Sequence, residues 1–153
     1  MVKVRLEGKF EINCDPGAAW RFISDPQQIA QCLPDLQRLD VRDNTHFTVL
    51  VKVGMAFIRG TFKFDFTLLD QTAPTHSKFE AIGKGAGVSI RLQATIDLKE
   101  TKHATTELSW NSDVALGGLL GEVSPSLIQG GAHNFTREFF SCIKSELESQ
   151  AVA

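Results

Sequence analysis

Residues 127–143 read LIQGGAHNFTREFFSCI, and their apolar side chains recur with the roughly 3.6-residue period of an α-helix. The opposite side of the predicted helix carries Gln129, His133 and Lys144. The apolar side consists of Leu127, Ile128, Gly131, Ala132, Phe135, Phe139, Cys142 and Ile143. Such a helix has to bury its apolar face against another layer. The stretch therefore predicts a long terminal helix that covers the rest of the fold.

A glycine pair, Gly130 and Gly131, interrupts the middle of this helix. Glycine in a helix interior costs about 0.5 to 1 kcal/mol relative to alanine, so the pair needs a compensating reason. Helical phasing turns Gly131 toward the buried side and Gly130 toward a flank. Two explanations are open: the helix backbone lies directly against its partner layer, or a cavity lies beneath Gly131 and Ala132.

The start of the helix has two interpretations. Ser124 and Pro125 have the character of a cap followed by a first helical position, with residues 117–122 as a looser lead-in. Alternatively, Pro125 kinks a helix that begins earlier.

Upstream of the helix, apolar and polar residues alternate with a period of two, which predicts strands that have one buried face and one solvated face. Glycines at positions 8, 60, 83 and 85 suggest bends or bulges within them. Two less regular segments bring the predicted total to about seven strands. The segments are 2–12, 36–41, 47–53, 58–68, 78–82, 88–98 and 108–114.

Two short helices are predicted after the first strand, at about 16–24 and 26–32. Each follows an aspartate and a proline, Asp15-Pro16 and Asp25-Pro26, which suit an N-cap and the first helical position. Pro34 ends the second helix. The predicted fold is α+β, a curved antiparallel sheet that packs against a C-terminal helix. At 153 residues, a single domain spanning 1–153 is expected.

Composition excludes several classes of function. The formal charge is -2 and Lys and Arg are not clustered, so nucleic acid is not an expected partner. There is no apolar stretch of the roughly 20 residues that a membrane span needs, and the first residues lack the apolar block of a signal peptide, so a cytoplasmic location is expected. The cysteines, at positions 14, 32 and 142, are odd in number and widely spaced, which predicts reduced thiols and no metal site.

Residues 83–87, GKGAG, superficially resemble a phosphate-binding loop. Such a loop has to lead into a helix whose N-terminus meets the anion, whereas a strand begins here at Val88. The segment is therefore predicted to be a hairpin turn.

Arranged in this order, the elements resemble those of the START-like and Bet v 1-like (SRPBCC) helix-grip superfamily, and within it the CoxG family, that of the G subunit of carbon monoxide dehydrogenase. The order of several short sequence segments along the chain, more than any one segment, supports this resemblance. The matching pieces are 18–26 (AAWRFISDP), 32–34 (CLP), 51–54 (VKVG), 58–62 (IRGTF), 83–85 (GKG), 127–132 (LIQGGA) and 139–140 (FF).

The resemblance implies a hydrophobic cavity between sheet and helix. It also implies an accessory role beside a molybdenum hydroxylase of the carbon monoxide dehydrogenase type, in maturation, electron-acceptor supply or recruitment to the inner face of the membrane. Oxidoreductase subunits are then the expected protein partners, and the sequence leaves the oligomeric state open.

The eleven Phe and two Trp residues suit a flat or isoprenoid-like molecule, such as a quinone or a lipid, better than a sugar or nucleotide. The residues predicted to line the cavity are Phe47, Phe62, Phe64, Phe66, Ile90, Leu92, Trp110, Leu127, Ile128, Gly131, Ala132, Phe135 and Phe139.

The favoured hypothesis is a non-enzymatic protein that binds a hydrophobic small molecule and has no catalytic residue or cofactor. One alternative is a cavity enzyme of the polyketide cyclase, aromatase or hydrolase type, which needs an acid or base facing the cavity. Tyrosine, a common donor in such sites, is absent. The other alternative is a protein-interaction module with a filled core, in which Gly131→Leu is tolerated.

Overall fold

A computed structural model describes residues 2–54, 59–102, 104–118 and 124–152. The strand start predicted at Ile58 and most of the lead-in predicted at 117–122 lie outside these residues. Gly117 and Gly118, the described part of that lead-in, end the last strand.

Seven antiparallel strands form one sheet, which confirms the predicted α+β architecture. In chain order they are β1 Val2–Ile12, β2 Leu36–Val41, β3 His46–Gly54, β4 Arg59–Thr72, β5 His76–Gly85, β6 Val88–Lys102 and β7 Thr105–Gly118. Their spatial order is β1-β7-β6-β5-β4-β3-β2, so successive strands from β2 to β7 are joined as a meander and β1 pairs with β7. Several strands extend beyond their predicted ends, because hydrogen bonding continues where the alternation of burial has faded.

One face of the sheet is dry, as the alternation predicted. In β3, Phe47, Val49 and Val51 are buried, and Lys52 between Val51 and Val53 is exposed. In β6, the buried positions are Val88, Ala94, Ile96 and Leu98. This face supplies the sheet side of the core.

Two short helices follow β1, α1 Pro16–Ile23 and α2 Pro26–Ala30. Both predicted caps are present: the Asp15 carboxylate accepts a hydrogen bond from the Ala18 amide (2.9 Å), and the Asp25 carboxylate accepts one from the Gln27 amide (3.0 Å). The second helix ends before the predicted residue 32, because the next amides bond to carbonyls three residues back and form turns.

The terminal helix, α3, spans Pro125–Val152. The carbonyl of Ser124 accepts hydrogen bonds from the amides of Leu127 (3.1 Å) and Ile128 (3.2 Å). The helix thus begins as the cap-and-first-position interpretation predicted. Its buried side chains include Ile128, Phe140, Ile143 and Leu147.

The prediction that all three cysteines are reduced was wrong for two of them. Cys32, after α2, and Cys142, in α3, form a disulfide with a Cα–Cα distance of 5.4 Å. The two residues are 110 positions apart in sequence, so their spacing carried no sign of the pairing. Cys14 is free and buried, and burial, followed by the nearby charges of Asp15 and Glu148, raises the pKa of its thiol.

The predicted hairpin at residues 83–87 is confirmed. Strand β5 ends at Gly85 and β6 begins at Val88. The two residues between them, Ala86 (φ 50°) and Gly87 (φ 74°), both have positive φ angles, as a tight type I′ turn requires.

Candidate functional site

A cavity of about 160 Å³ lies between the dry face of the sheet and α3. Strands β1 and β3 to β7 contribute its sheet side, and Leu33, just after α2, also reaches it. The helix contributes Ile128, Ala132, Phe135, Thr136, Phe139 and Phe140. Because Ala132 is small, the helix leaves space above the sheet at this point.

The cavity wall is almost entirely apolar. Among the described lining residues, the polar side chains are Ser112 and Thr136, and none is charged. The Thr136 hydroxyl donates a hydrogen bond to the carbonyl of Ala132 (2.8 Å), so its proton is already used. Ser112 is buried, and its hydroxyl has no hydrogen-bond partner within the described part of the chain. It can bond to a polar atom placed in the cavity.

Nine of the predicted lining residues lie in the cavity wall of this structure. They come from three strands and the helix, and so from distant parts of the sequence. They are Phe64, Phe66, Ile90, Leu92, Trp110, Ile128, Ala132, Phe135 and Phe139.

Two of the predicted phenylalanines lie elsewhere. Phe62 is fully buried in the core and does not line the cavity. Phe47 lines a neighbouring apolar void of about 20 Å³, which shares Phe66 and Phe139 with the main cavity. Alternation placed both side chains on the correct face, but it could not indicate which part of that face is filled.

The prediction that Leu127 faces the cavity was wrong, since this residue is 59% exposed. Successive residues turn by about 100° around a helix. Ile128 and Ala132 define the cavity side, and Leu127 lies about 100° from Ile128 in the direction away from Ala132. Gly131 is displaced the same way by a smaller angle; it is half-buried and outside the cavity wall.

The lining residues that were not predicted include aliphatic ones, the aromatic residues Phe79 and Phe140, and two residues with hydroxyls, Ser112 and Thr136. Val49, Val51, Val53, Val114 and Leu116 line the cavity beside the predicted aromatic residues. The alternation of apolar and polar residues placed these side chains on the buried face, but the predicted cavity lining favoured aromatic residues and left them out. Thr136 lies one turn beyond Ala132 on the helix.

Glycines in the strands make room for the aromatic walls. Gly83 lies directly opposite Phe64 in the β4–β5 pairing, and a Cβ at this position would overlap the Phe64 ring. The same relation holds on β1, where a Cβ on Gly8 would come within 2.9 Å of Trp110 Nε1. The register shifts of the sheet fall at other positions, so these glycines are not the bulges that the sequence suggested.

Contacts between aromatic rings, two of them tilted and one stacked, hold the walls in place. The rings of Phe64 and Phe66 lie with centroids 6.3 Å apart, and the ring of Phe66 lies 6.2 Å from that of Phe79. On the other side, Trp110 and Phe140 stack with centroids 4.8 Å apart and an interplanar angle of 19°. Offset stacking of this kind favours one arrangement of the rings.

The histidine–carboxylate pairs of the described chain lie outside the cavity wall. His76 Nδ1 is 2.6 Å from the Asp97 carboxylate, and His46 Nδ1 is 3.0 Å from that of Asp43. The Thr45 amide and the His46 ring, as hydrogen-bond partners, lower the pKa of Asp43 to about 2. These pairs link neighbouring positions on the solvated side of the sheet and its turns.

The sheet, the covering helix and the apolar space between them define a protein of the helix-grip, START-like class. The sequence matches the model of the CoxG family, described as the G subunit of carbon monoxide dehydrogenase, over residues 8–148, and the chain belongs to that family. No curated protein matches the sequence.

Solved structures share the fold at low sequence identity. A conserved protein from Geobacillus kaustophilus superposes with a TM-score of 0.88 at 20% identity, covering 95% of this chain and 96% of that one. A START superfamily protein from Mycobacterium smegmatis gives 0.73 at 10% identity, with coverages of 95% and 98%. The Zhui aromatase/cyclase from Streptomyces sp. R1128 gives 0.71 at 12% identity, with coverages of 95% and 94%. Among the described residues, no helix is both long and apolar enough to cross a membrane.

Proposed function

We propose that this protein is a non-enzymatic accessory protein that binds a hydrophobic small molecule in the cavity beneath α3. The observation that carries the proposal is the wall of the cavity, which has a free hydroxyl at Ser112 and no charged group among the described residues. An apolar ligand loses little on entering such a space, whereas a charged or strongly polar one loses its hydration without replacement.

The size of the cavity limits what enters it. Its volume of about 160 Å³ is close to that of a dry apolar cavity of about 150 Å³ that takes up benzene. It is smaller than the roughly 300 to 1,000 Å³ of pockets that enclose drug-sized molecules. The bound group is therefore no larger than a small ring system or a short branched chain, such as the one or two fused rings of a quinone or one isoprenoid unit. The remainder of a longer molecule lies outside the cavity.

The position of Ser112 supports a ligand with a carbonyl group. Its hydroxyl can donate a hydrogen bond to an oxygen in the cavity, and one such bond contributes about 0.5 to 1.5 kcal/mol. A quinone offers a flat apolar ring together with carbonyl oxygens. This combination matches the aromatic walls and the serine better than a saturated hydrocarbon does.

Membership of the CoxG family supports the setting that we propose. The protein acts beside a carbon monoxide dehydrogenase-type molybdenum hydroxylase, in the cytoplasm and at the inner face of the membrane, where quinones are found. It supplies or shelters a hydrophobic molecule for the oxidoreductase.

A pair of matched substitutions on α3 tests the binding function. Ala132→Leu places a larger side chain in the cavity, whereas Asn134→Leu adds the same side chain on the exposed side of the helix. Binding of 2-methyl-1,4-naphthoquinone is followed by quenching of tryptophan fluorescence. We expect Ala132→Leu to weaken binding at least tenfold and Asn134→Leu to leave it unchanged.

Mass spectrometry of an organic extract of the purified protein gives a second readout. A quinone, lipid or isoprenoid in the extract of the wild type, and its loss from Ala132→Leu, support the proposal. Failure of the naphthoquinone to bind, together with an empty extract, would contradict it. Equal binding by the two leucine variants would show that ligands contact another part of the protein.

A further inference from the structure

A second cleft, of about 280 Å³, lies between β1 and α3 at the edge of the sheet. On the strand side its wall is formed by residues 7–10, of which Gly8 and Phe10 face the helix while Glu7 and Lys9 alternate onto the solvated face of the sheet. The charged side chains on the helix side, Arg137 and Lys144, are both cationic, in a protein whose formal net charge is -2. The local charge is opposite in sign to that of the whole chain.

The cationic side chains of the cleft lie on α3, where His133, Arg137, Ser141 and Lys144 recur every three or four residues and therefore form one stripe along the helix. This stripe is distinct from the one that lines the cavity. In the described part of the chain, no ion pair within 4 Å involves Arg137 or Lys144. Their charges are available to a ligand.

The floor of the cleft is the aromatic wall of the cavity. Trp110 and Phe140 line both spaces, and their stacked rings separate one from the other. Gly8 permits this arrangement, since a side chain there would displace the indole.

We propose that this cleft binds the anionic head group, a carboxylate or a phosphate, of an amphipathic ligand whose apolar part occupies the cavity. The proposal rests on the binding function proposed above and specifies the class of ligand. Arg137 offers a planar fork of donors that matches either oxyanion, and Lys144 adds a point charge. Rotation of the Trp110 or Phe140 ring opens the boundary that the ligand crosses. The apolar part of the ligand is thus removed from water, while its anionic head group is bound by the cationic side chains of the cleft.

An amphipathic anion fits because an apolar cavity and a cationic cleft lie side by side. The cavity has no charged group among its described lining residues, and the cleft has two unpaired cations, Arg137 and Lys144, on the other side of one aromatic layer. A neutral apolar ligand would use the cavity alone. A free inorganic anion would use the cleft alone, with no contribution from the cavity.

The test compares ligands that share an apolar part and differ in the head group. We would titrate 4-phenylbutyrate, 4-phenylbutyl phosphate and neutral 4-phenylbutan-1-ol into the protein by isothermal calorimetry. Butyrate and inorganic phosphate serve as head groups without the ring. The variants are Arg137→Gln and Lys144→Gln. Arg91→Gln and Lys63→Gln are the matched controls, because these exposed side chains do not line the cleft.

We expect both anions to bind more tightly than the alcohol. Arg137→Gln should weaken them about tenfold, since each 1.4 kcal/mol of lost interaction is a factor of ten. The alcohol should be unaffected by any of the four variants, and the anions should be unaffected by the two controls. A difference between carboxylate and phosphate identifies the head group.

Two results would overturn the proposal. If the anions and the alcohol bind equally and the cleft variants change neither, the cleft takes no part, while the cavity function stands. If none of the three phenyl ligands binds, both proposals fail. Binding of inorganic phosphate as tight as that of 4-phenylbutyl phosphate would show a site for free anions, which also contradicts the amphipathic ligand.

Discussion

At the scale of single residues, the shape of the cavity depends on glycines, which have no side chain, as much as on the large side chains of its wall. Gly83 leaves the space that the Phe64 ring occupies, and Phe64 in turn forms part of the cavity wall. A glycine within a strand weakens the strand, so a close approach of this kind is a reason for its presence.

Gly83→Ala tests this relation. The added Cβ overlaps the Phe64 ring, which then has to move toward the cavity. We expect a loss of about 1 to 3 kcal/mol in the free energy of unfolding, the usual cost of overpacking, together with weaker binding of the naphthoquinone. Urea denaturation and fluorescence titration measure the two effects.

Gly54→Ala is the control, because a Cβ at that exposed position meets nothing within 4 Å. The control should retain wild-type stability and binding. If Gly83→Ala has the same stability and naphthoquinone binding as Gly54→Ala, the position of the Phe64 ring does not depend on the absence of a side chain at residue 83.

At the scale of elements, the disulfide between Cys32 and Cys142 joins the segment after α2 to α3. It closes a loop of 110 residues, and both of the elements it joins contribute to the cavity wall. A cross-link over so long a loop restricts the unfolded chain strongly.

We expect Cys32→Ser with Cys142→Ser to lower the free energy of unfolding by about 2 to 5 kcal/mol. Non-reduced protein in denaturant should have one reactive thiol, that of Cys14, and reduced protein should have three. The native Cys14 thiol should react slowly, since burial raises its pKa and restricts access. Three reactive thiols without reductant would contradict the cross-link.

The disulfide also bears on the expected cytoplasmic location, because disulfides are rare in reducing compartments. Trapping thiols with an alkylating agent at the moment of lysis reports the state of Cys32 and Cys142 in the cell. A cross-link found at that point would favour an oxidising environment.

Local patterns account for what the sequence could predict at this scale. The alternation of β3 and β6, the caps at Asp15 and Asp25, and the turn before Val88 all depend on neighbours in sequence. The errors arose where distant segments meet. The side of α3 that faces the cavity is fixed by packing on the sheet, and Leu127 and Gly131 lie about 100° and about 60° from Ile128, away from that side.

At the scale of the whole molecule, the sheet and α3 enclose an apolar cavity and form a cationic cleft beside it. The nine lining residues predicted from the sequence were identified because burial on a strand or helix face is a periodic property. The cleft was not identified, because its strand wall at residues 7–10 and its helix wall with Arg137 come from opposite ends of the chain and neither is unusual in its own segment. Their proximity is a product of the fold, as is the pairing of Cys32 with Cys142.

The central claim is that a hydrophobic molecule occupies the space beneath α3, and a crystal structure of the protein with 2-methyl-1,4-naphthoquinone tests it most directly. We predict electron density for the ring between Ala132, Phe64 and Trp110, with one carbonyl oxygen within hydrogen-bond distance of the Ser112 hydroxyl. An empty cavity at saturating quinone, or a core repacked so that the cavity is closed, would contradict the account.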